Sequence, residues 1–327
     1  MEEATADSAD DRSVSGFARW FLLSGNRHLV SLVVLSGIGA AFLAVGILDL
    51  ATVTTPNRVM WYLNGTVNGL LTLVPITIGV NQIVLSHEFG SIQDLYERRT
   101  DITDFRERVE ERTGTAVSSP HASTFFETLL SAVADAARTV QDRFDDSRAD
   151  DRLTNDVEEV TESVIREAER TNDELAANGT SMLRTFLTML NYRNSEQFHD
   201  VRRIRAELSD FDPEAAKELQ QITELFVEVD AARQFLKTVV VERQLARLSR
   251  LLVYTGIPAV TIATIGIFSY RDIAGLTLSH ALLVGVAGTI IVATLVPLAI
   301  LGAYILRVAT IAHQTAMYGP FIPESDD

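Results

Sequence analysis

Seven positions share a spacing that could serve a path through a membrane: Asn64, Asn68, Thr72, Pro75, Gly79, Gln82 and Ser86. On a helix turning about 100° per residue they fall within about 80° of one another, with the apolar Leu70, Leu73 and Val84 opposite. Amides and hydroxyls can exchange hydrogen bonds with water or offer oxygen to an ion. With no carboxylate or base among them, they cannot relay protons by titrating. A polar stripe of this depth is costly against lipid and must face protein or water. Two uses follow. The amides and hydroxyls can bond to neighbouring helices, at about 0.6 to 2 kcal/mol per polar contact, or copies from several subunits can line a neutral, weakly selective conduit.

Other chemistry is sparse. The six histidines, His28, His87, His121, His199, His280 and His313, are scattered without metal-ligand spacing, and His87-Glu88 lacks a second histidine four residues after the first. Cysteine is absent, which removes disulfides, thiolate zinc sites and cysteine nucleophiles together. There is no phosphate-cradling glycine loop and no nucleophile elbow. Acidic pairs such as Asp145-Asp146 and Glu158-Glu159 belong to solvated helix surfaces in so acidic a chain. The expectation is therefore no enzyme, no catalytic residue, no bound metal and no cofactor.

The stripe lies in one of four apolar stretches: Leu29 to Leu48, Val59 to Leu85, Leu251 to Tyr270 and Ile273 to Leu306, none of which contains Lys, Arg or Glu. Each reaches the roughly 20 residues that a helix needs to cross the hydrocarbon of a bilayer. Hydrophobic residues make up 47% of the chain, yet the formal net charge is -16, because spans without charge dilute a very acidic remainder. Only Lys217 and Lys237 among the 28 basic residues are lysines, a usage that resembles that of proteins from salt-loving archaea. Acidity of this kind keeps a surface hydrated in concentrated salt. No basic cluster carries interleaved aromatics, so nucleic acid is not an expected partner. About 28 residues precede the first apolar run, which is too long for the core of a secretory signal and is expected to be retained as a span.

Orientation follows from basic residues beside the spans. Arg12, Arg19 and Arg27 precede span one; Arg98, Arg99, Arg106, Arg108 and Arg112 follow span two; Arg243, Arg247 and Arg250 precede span three; Arg307 and His313 follow span four. The short loops hold only Arg58 and Arg271. Every basic-rich flank falls on one side. The expected organisation is a cytoplasmic tail at 1–28, spans one and two at 29–85, a cytoplasmic helical segment at 86–250, spans three and four at 251–306 and a cytoplasmic tail at 307–327, in the cell membrane. Asn178-Gly179-Thr180 should then stay unglycosylated.

The central segment has helical periodicity throughout. Ser119-Pro120 is expected to open a helix running to about Phe144, Asn178-Gly179 to close the next, and a third to cover Thr180 to Leu208. Leu153, Val157, Val160, Val164, Ala168 and Leu175 make one apolar stripe; Leu219, Ile222, Phe226, Val229, Arg233, Leu236 and Val240 make another. From Asp212-Pro213 nothing breaks the pattern before span three, so one helix is expected to rise into the membrane, and span two is expected to run on toward Arg112. Narrow stripes on charged helices call for a partner surface, which a second copy or a cytoplasmic protein would supply. Within the spans, Pro75, Pro258 and Pro297 are expected helix kinks. Small residues at Ser36, Ala40 and Ala44, at Gly256, Ala259, Ala263 and Gly266, and at Ala281, Gly285 and Gly288 are expected packing faces.

The order of two spans, a helical segment and two spans, with Pro75-Ile76, Asn81, Leu95-Tyr96-Glu97-Arg98-Arg99, the run Arg243 to Arg250 and Gly319-Pro320-Phe321, resembles the bestrophin-like uncharacterised membrane family. It is similar too to unannotated four-span proteins of halophilic archaea. The resemblance implies a homo-oligomer whose second span lines an anion pore. The chain departs from bestrophins in its polar stripe, where their neck is ringed by apolar and aromatic side chains, and in having no acidic calcium-clasp motif. The expected class is all-α, with four transmembrane helices arranged 2+2 around a long cytoplasmic helical segment. Two functions remain in view: a channel-like homo-oligomer in the lipid bilayer, or a membrane-anchored scaffold or signalling adaptor without transport.

Overall fold

The computed structural model describes residues 18, 20–88, 91–145, 151–192, 194–209 and 212–316. Among the described residues there are helices and no strand. After a π-helical turn at Trp20–Ser24 come α1 (Arg27–Ile47), α2 (Pro56–Leu71), α3 (Leu73–Glu88), α4 (Ile92–Thr113), α5 (Ala122–Asp145), α6 (Asp151–Asn178), α7 (Met182–Asn191), α8 (Ser195–Leu208), α9 (Pro213–Ala274) and α10 (His280–Ala316).

Four stretches are long and apolar enough to cross a membrane: Arg27–Ile47, Pro56–Val80, Pro213–Ala274 and His280–Ala312. Their most apolar windows are only 17% to 39% buried within the chain, leaving Leu32, Val74, Ile257 and Phe268 exposed. So much uncovered aliphatic and aromatic surface suits hydrocarbon and would be unfavourable in water. The protein is a multi-pass membrane protein.

Two compact units divide the chain, with one boundary inside α9 between residues 241 and 242. The first contains the described residues up to 88 and from 242 to 312. Within it α1 and α10 are antiparallel neighbours: Gly46 faces Val284, Gly39 faces Val292, the Ser31 hydroxyl reaches the Ala299 carbonyl at 3.4 Å, and Arg27 reaches that of Ala303 at 3.1 Å. The helix after Pro56 packs on α9 and α10 through Val59, Leu63, Ala263, Tyr270 and Ala287, and through Leu70, Leu73, Leu252, Ala259, Ile300 and Tyr304. Both short connections meet at one end of this unit: the Tyr270 hydroxyl donates to the Thr54 carbonyl at 3.3 Å, and His280 Nε2 lies 3.0 Å from the Gly46 carbonyl.

The expected small-residue faces divide. Ala259, Ala263, Gly266 and Gly288 are packed, Gly266 against Leu63 and Gly288 against Phe42. Ser36, Ala40, Ala44 and Ala281 are exposed, and Gly256 and Gly285 have no neighbour where a Cβ would stand. On α1 it is Gly39 and Gly46 that approach α10, because spacing alone does not say which side of a helix its neighbour occupies. A Cβ on Gly46 would lie 2.6 Å from Val284 Cγ1 and 2.8 Å from Val53 Cγ2. Gly46→Ala is therefore expected to destabilise the first unit by about 1–3 kcal/mol through overpacking, measured as a lowered midpoint of thermal unfolding in detergent; an unchanged midpoint would show that α1 is free to back away.

The second unit includes the described residues between 91 and 241. Its core takes Phe126, Leu129, Leu130, Val133 and Val140 from α5, Val157, Val164, Ala168 and Leu175 from α6, Phe186 and Met189 from α7, Val201 and Ile204 from α8, and Leu219, Ile222, Phe226 and Val229 from α9. The stripes read from the sequence on α6 and α9 are thus the buried ones, save Leu153, which is half-buried. Amphipathic spacing turns one side of each helix inward. Gly179 ends α6 with φ of 63°, a left-handed conformation natural to glycine.

Three boundaries differ from expectation. Span two does not run on to Arg112: Ser91 and Asp94 form a reciprocal capping box that starts α4 afresh. The helix expected from Ser119 begins at Ala122, the Ser119 hydroxyl accepting from the His121 N–H at 3.1 Å. The helix expected over Thr180 to Leu208 is two, parted at Tyr192, whose backbone is extended. There the Arg233 guanidinium takes the Tyr192 carbonyl at 2.8 Å, and Asn194 donates to Asp230 at 3.2 Å. Partners about 36 to 41 residues away hold this break, and no local signal announces them.

The turn from α4 to α5 is tied by Glu110, whose carboxylate accepts from the Ser118 hydroxyl and N–H, both at 2.7 Å. These hydrogen bonds, the hydroxyl's first, hold the Glu110 carboxyl below the usual range. A carboxyl lowered in the folded state contributes stability that is present above its unfolded pKa and lost as pH falls through the folded one. Ser118→Ala is expected to lessen the acid-induced loss of stability, read from unfolding midpoints of both proteins from neutral pH to below the carboxylate range. Parallel pH profiles would remove Glu110 from that role.

Candidate functional site in span two

Of the stripe residues, Asn64 and Asn68 lie on α2, Thr72 at its end, and Pro75, Gly79, Gln82 and Ser86 on α3. Asn64, Asn68, Thr72, Pro75 and Gln82 are exposed and Gly79 is half-buried, while the Ser86 side chain lies outside the described residues. Among the described residues, none of the three side-chain amides has a hydrogen-bond partner. The Thr72 hydroxyl donates to the Gly69 carbonyl at 2.6 Å. The stripe is therefore displayed on the surface of the first unit rather than spent on its internal packing.

The stripe is not a single ramp. Thr72 interrupts the helix, its N–H turning to the Gly69 and Leu70 carbonyls, and Pro75 has no N–H for the Leu71 carbonyl four residues earlier. An even 100° step consequently does not carry across the junction. By contrast α9 and α10 continue through Pro258 and Pro297 without interruption. Leu70 and Leu73, opposite the stripe, are buried, while Leu71, which lies beside it, is 55% exposed, and Val74, Ile76 and Ile78 are exposed as well. Within 73–80 only Leu73 is buried, Thr77, Gly79 and Val80 are half-buried, and Val74, Pro75, Ile76 and Ile78 are left uncovered.

Two residues outside the expected set join this surface. Gly65 and Gly69 stand four apart on α2, and a Cβ on either would meet nothing within 4 Å. Glycines at this spacing let two membrane helices approach closely. The spacing was the available signal; only the structure leaves the space above it empty.

The first unit holds a second group of polar residues that periodicity did not bring together. Arg27 and Arg307, 3% and 4% exposed, both donate to the Gly25 carbonyl, although 280 positions separate them in the chain. Each was expected only as a flanking charge. Among the described residues no three His, Asp or Glu side chains gather as a metal site would require.

Over residues 1–327 the sequence matches a family of unknown function, DUF7972. The chain belongs to that family. No curated protein and no solved structure matches it. Membership in DUF7972 extends over both units, the exposed stripe and the helical second unit alike.

Proposed function

We propose that this DUF7972 protein is a channel-like homo-oligomer of the cell membrane in which span two faces a neutral polar path for ions. In this reading the spans are arranged 2+2, residues 86–250 and both termini are cytoplasmic, and the protein is not an enzyme. The observation that carries it is the exposure of Asn64, Asn68 and Gln82, whose side chains have no hydrogen-bond partner among the described residues. In hydrocarbon each unsatisfied amide costs several kcal/mol, so the stripe needs other copies or water in front of it. The open Gly65 and Gly69 offer a surface for close approach between copies. The meeting of both short connections at one end of the first unit agrees with two hairpins crossing in the same sense. Salt-adapted composition and the likeness to bestrophin-like proteins fit the reading and do not carry it.

A scaffold or adaptor is the second reading. What favours it is an apolar cavity of about 490 Å³ in the second unit, lined by Ile102, Phe105, Phe125, Phe235, Leu236 and Val239. A helix of a cytoplasmic protein could use such a surface. Full-length protein in liposomes separates the two. A trapped ion gradient is expected to discharge through the channel-like protein, whereas gradients of small cations and anions that all persist would leave the adaptor.

A further inference from the structure

We propose that Arg27 and Arg307, with Arg247 at their exposed edge, form a binding site for a phosphate-bearing anion where span one begins. The inference needs only a membrane protein, not a channel. Arg27 Nε donates to the Gly25 carbonyl at 3.1 Å, and its Nη1 to the carbonyls of Ala303 at 3.1 Å and Leu22 at 3.5 Å. Arg307 Nη2 donates to the same Gly25 carbonyl, and its Nη1 faces Gln244 Oε1 at 3.5 Å. Every acceptor is neutral. Among the described residues no carboxylate forms an ion pair with either arginine.

Two guanidiniums converging on one carbonyl repel each other, and burial removes the water that would weaken the repulsion. Carbonyl oxygens solvate part of the charge without cancelling it. Arg27 is also the first residue of α1, where the aligned peptide dipoles add positive potential. Two buried donors, Arg27 Nη2 and Arg307 Nε, have no acceptor among the described residues. Buried donors beside uncompensated positive charge at a helix start are what an anion's oxygens satisfy.

The ligand is a phosphate rather than a carboxylate of this chain, because donors on both guanidiniums lack an acceptor and a tetrahedral group offers oxygens in several directions. Entry is from the side of Arg247 and His28, which are exposed and 3.3 Å apart. Gln244 is half-buried, and its contact with Arg307 is among the longest the pair makes, so it is the group an entering oxygen displaces. Two sources share this chemistry, the headgroup of an anionic phospholipid and free inorganic phosphate.

Thermal unfolding of the full chain in detergent tests the site and distinguishes the sources. Phosphatidylglycerol is titrated in one arm, phosphatidylcholine in a second and sodium phosphate in a third, with sodium chloride at matched ionic strength as the control. The expected result is a rise in midpoint with phosphatidylglycerol, with the half-saturating concentration raised at least tenfold in Arg307→Gln and Arg247→Gln. A rise with sodium phosphate alone, lost in the same variants, assigns the site to the free ion. Arg247 is exposed, so Arg247→Gln folds even if Arg307→Gln does not. No rise in any arm beyond the chloride control, or a rise equal in wild type and Arg247→Gln, overturns the proposal.

Discussion

Replacing Asn68 and Gln82 together by leucine is expected to cut ion flux through reconstituted protein at least tenfold without lowering its unfolding midpoint. Both side chains are exposed and have no hydrogen-bond partner among the described residues, so their loss removes no contact described in the fold. If the stripe lines a path, each copy loses two groups that can replace water around an ion. Polar contacts between membrane helices are worth about 0.6 to 2 kcal/mol each, and about 1.4 kcal/mol added to a barrier slows passage tenfold. Losses repeated in several subunits pass that threshold readily. Gln82→Asn keeps the amide and should retain most of the flux, and Val74→Leu, exposed and apolar on the same segment, should change little. Flux as fast in the double leucine variant as in wild type would take Asn68 and Gln82 out of any conduit.

Phe226→Ala is expected to cost the second unit about 3–5 kcal/mol, the range for emptying a buried aromatic site. Phe226 is fully buried, with the Phe198 ring 6.4 Å from its own between centroids. It stands on α9 in the stripe with Leu219, Ile222 and Val229, which are equally buried. Against a domain stability of about 5–15 kcal/mol, such a loss should leave the unit partly unfolded near its working temperature. Denaturant unfolding of the full chain, followed by helical circular dichroism, reads the change. Phe235→Ala on the same helix, where the ring is 55% exposed, should cost far less. Equal losses for both would mean that burial on α9 does not set the unit's stability.

The residues of the second unit show how far periodicity reaches. Val157, Val164, Ala168 and Leu175 on α6, and Leu219, Ile222, Phe226 and Val229 on α9, were identifiable because a helix can bury only one side and must repeat its apolar residues at three and four. The break at Tyr192 was not, because Arg233 and Asp230 impose it from another helix. The restart at Ser91 was written locally as Ser91 and Asp94, a capping box masked by the expectation of continuity from span two.

Span two shows the same division. Its polar residues were legible by type and spacing. Their exposure was not, since a stripe of amides has the same pattern whether it bonds to its own chain or to something beyond it. Arg27 and Arg307 read only as flanking charges, because a position count carries no information about two helix ends that meet across 280 residues.

By itself the sequence determined that four stretches can cross a membrane, that the segment between the two pairs is helical and acidic, and which sides of α6 and α9 turn inward. These are consequences of local composition and of the 3.6-residue turn. Only the tertiary structure decided which side of each span is covered, that Gly39 and Gly46 rather than Ser36, Ala40 and Ala44 meet α10, and that two uncompensated arginines share one carbonyl. Those outcomes depend on which helices become neighbours, and that is settled by packing across the chain.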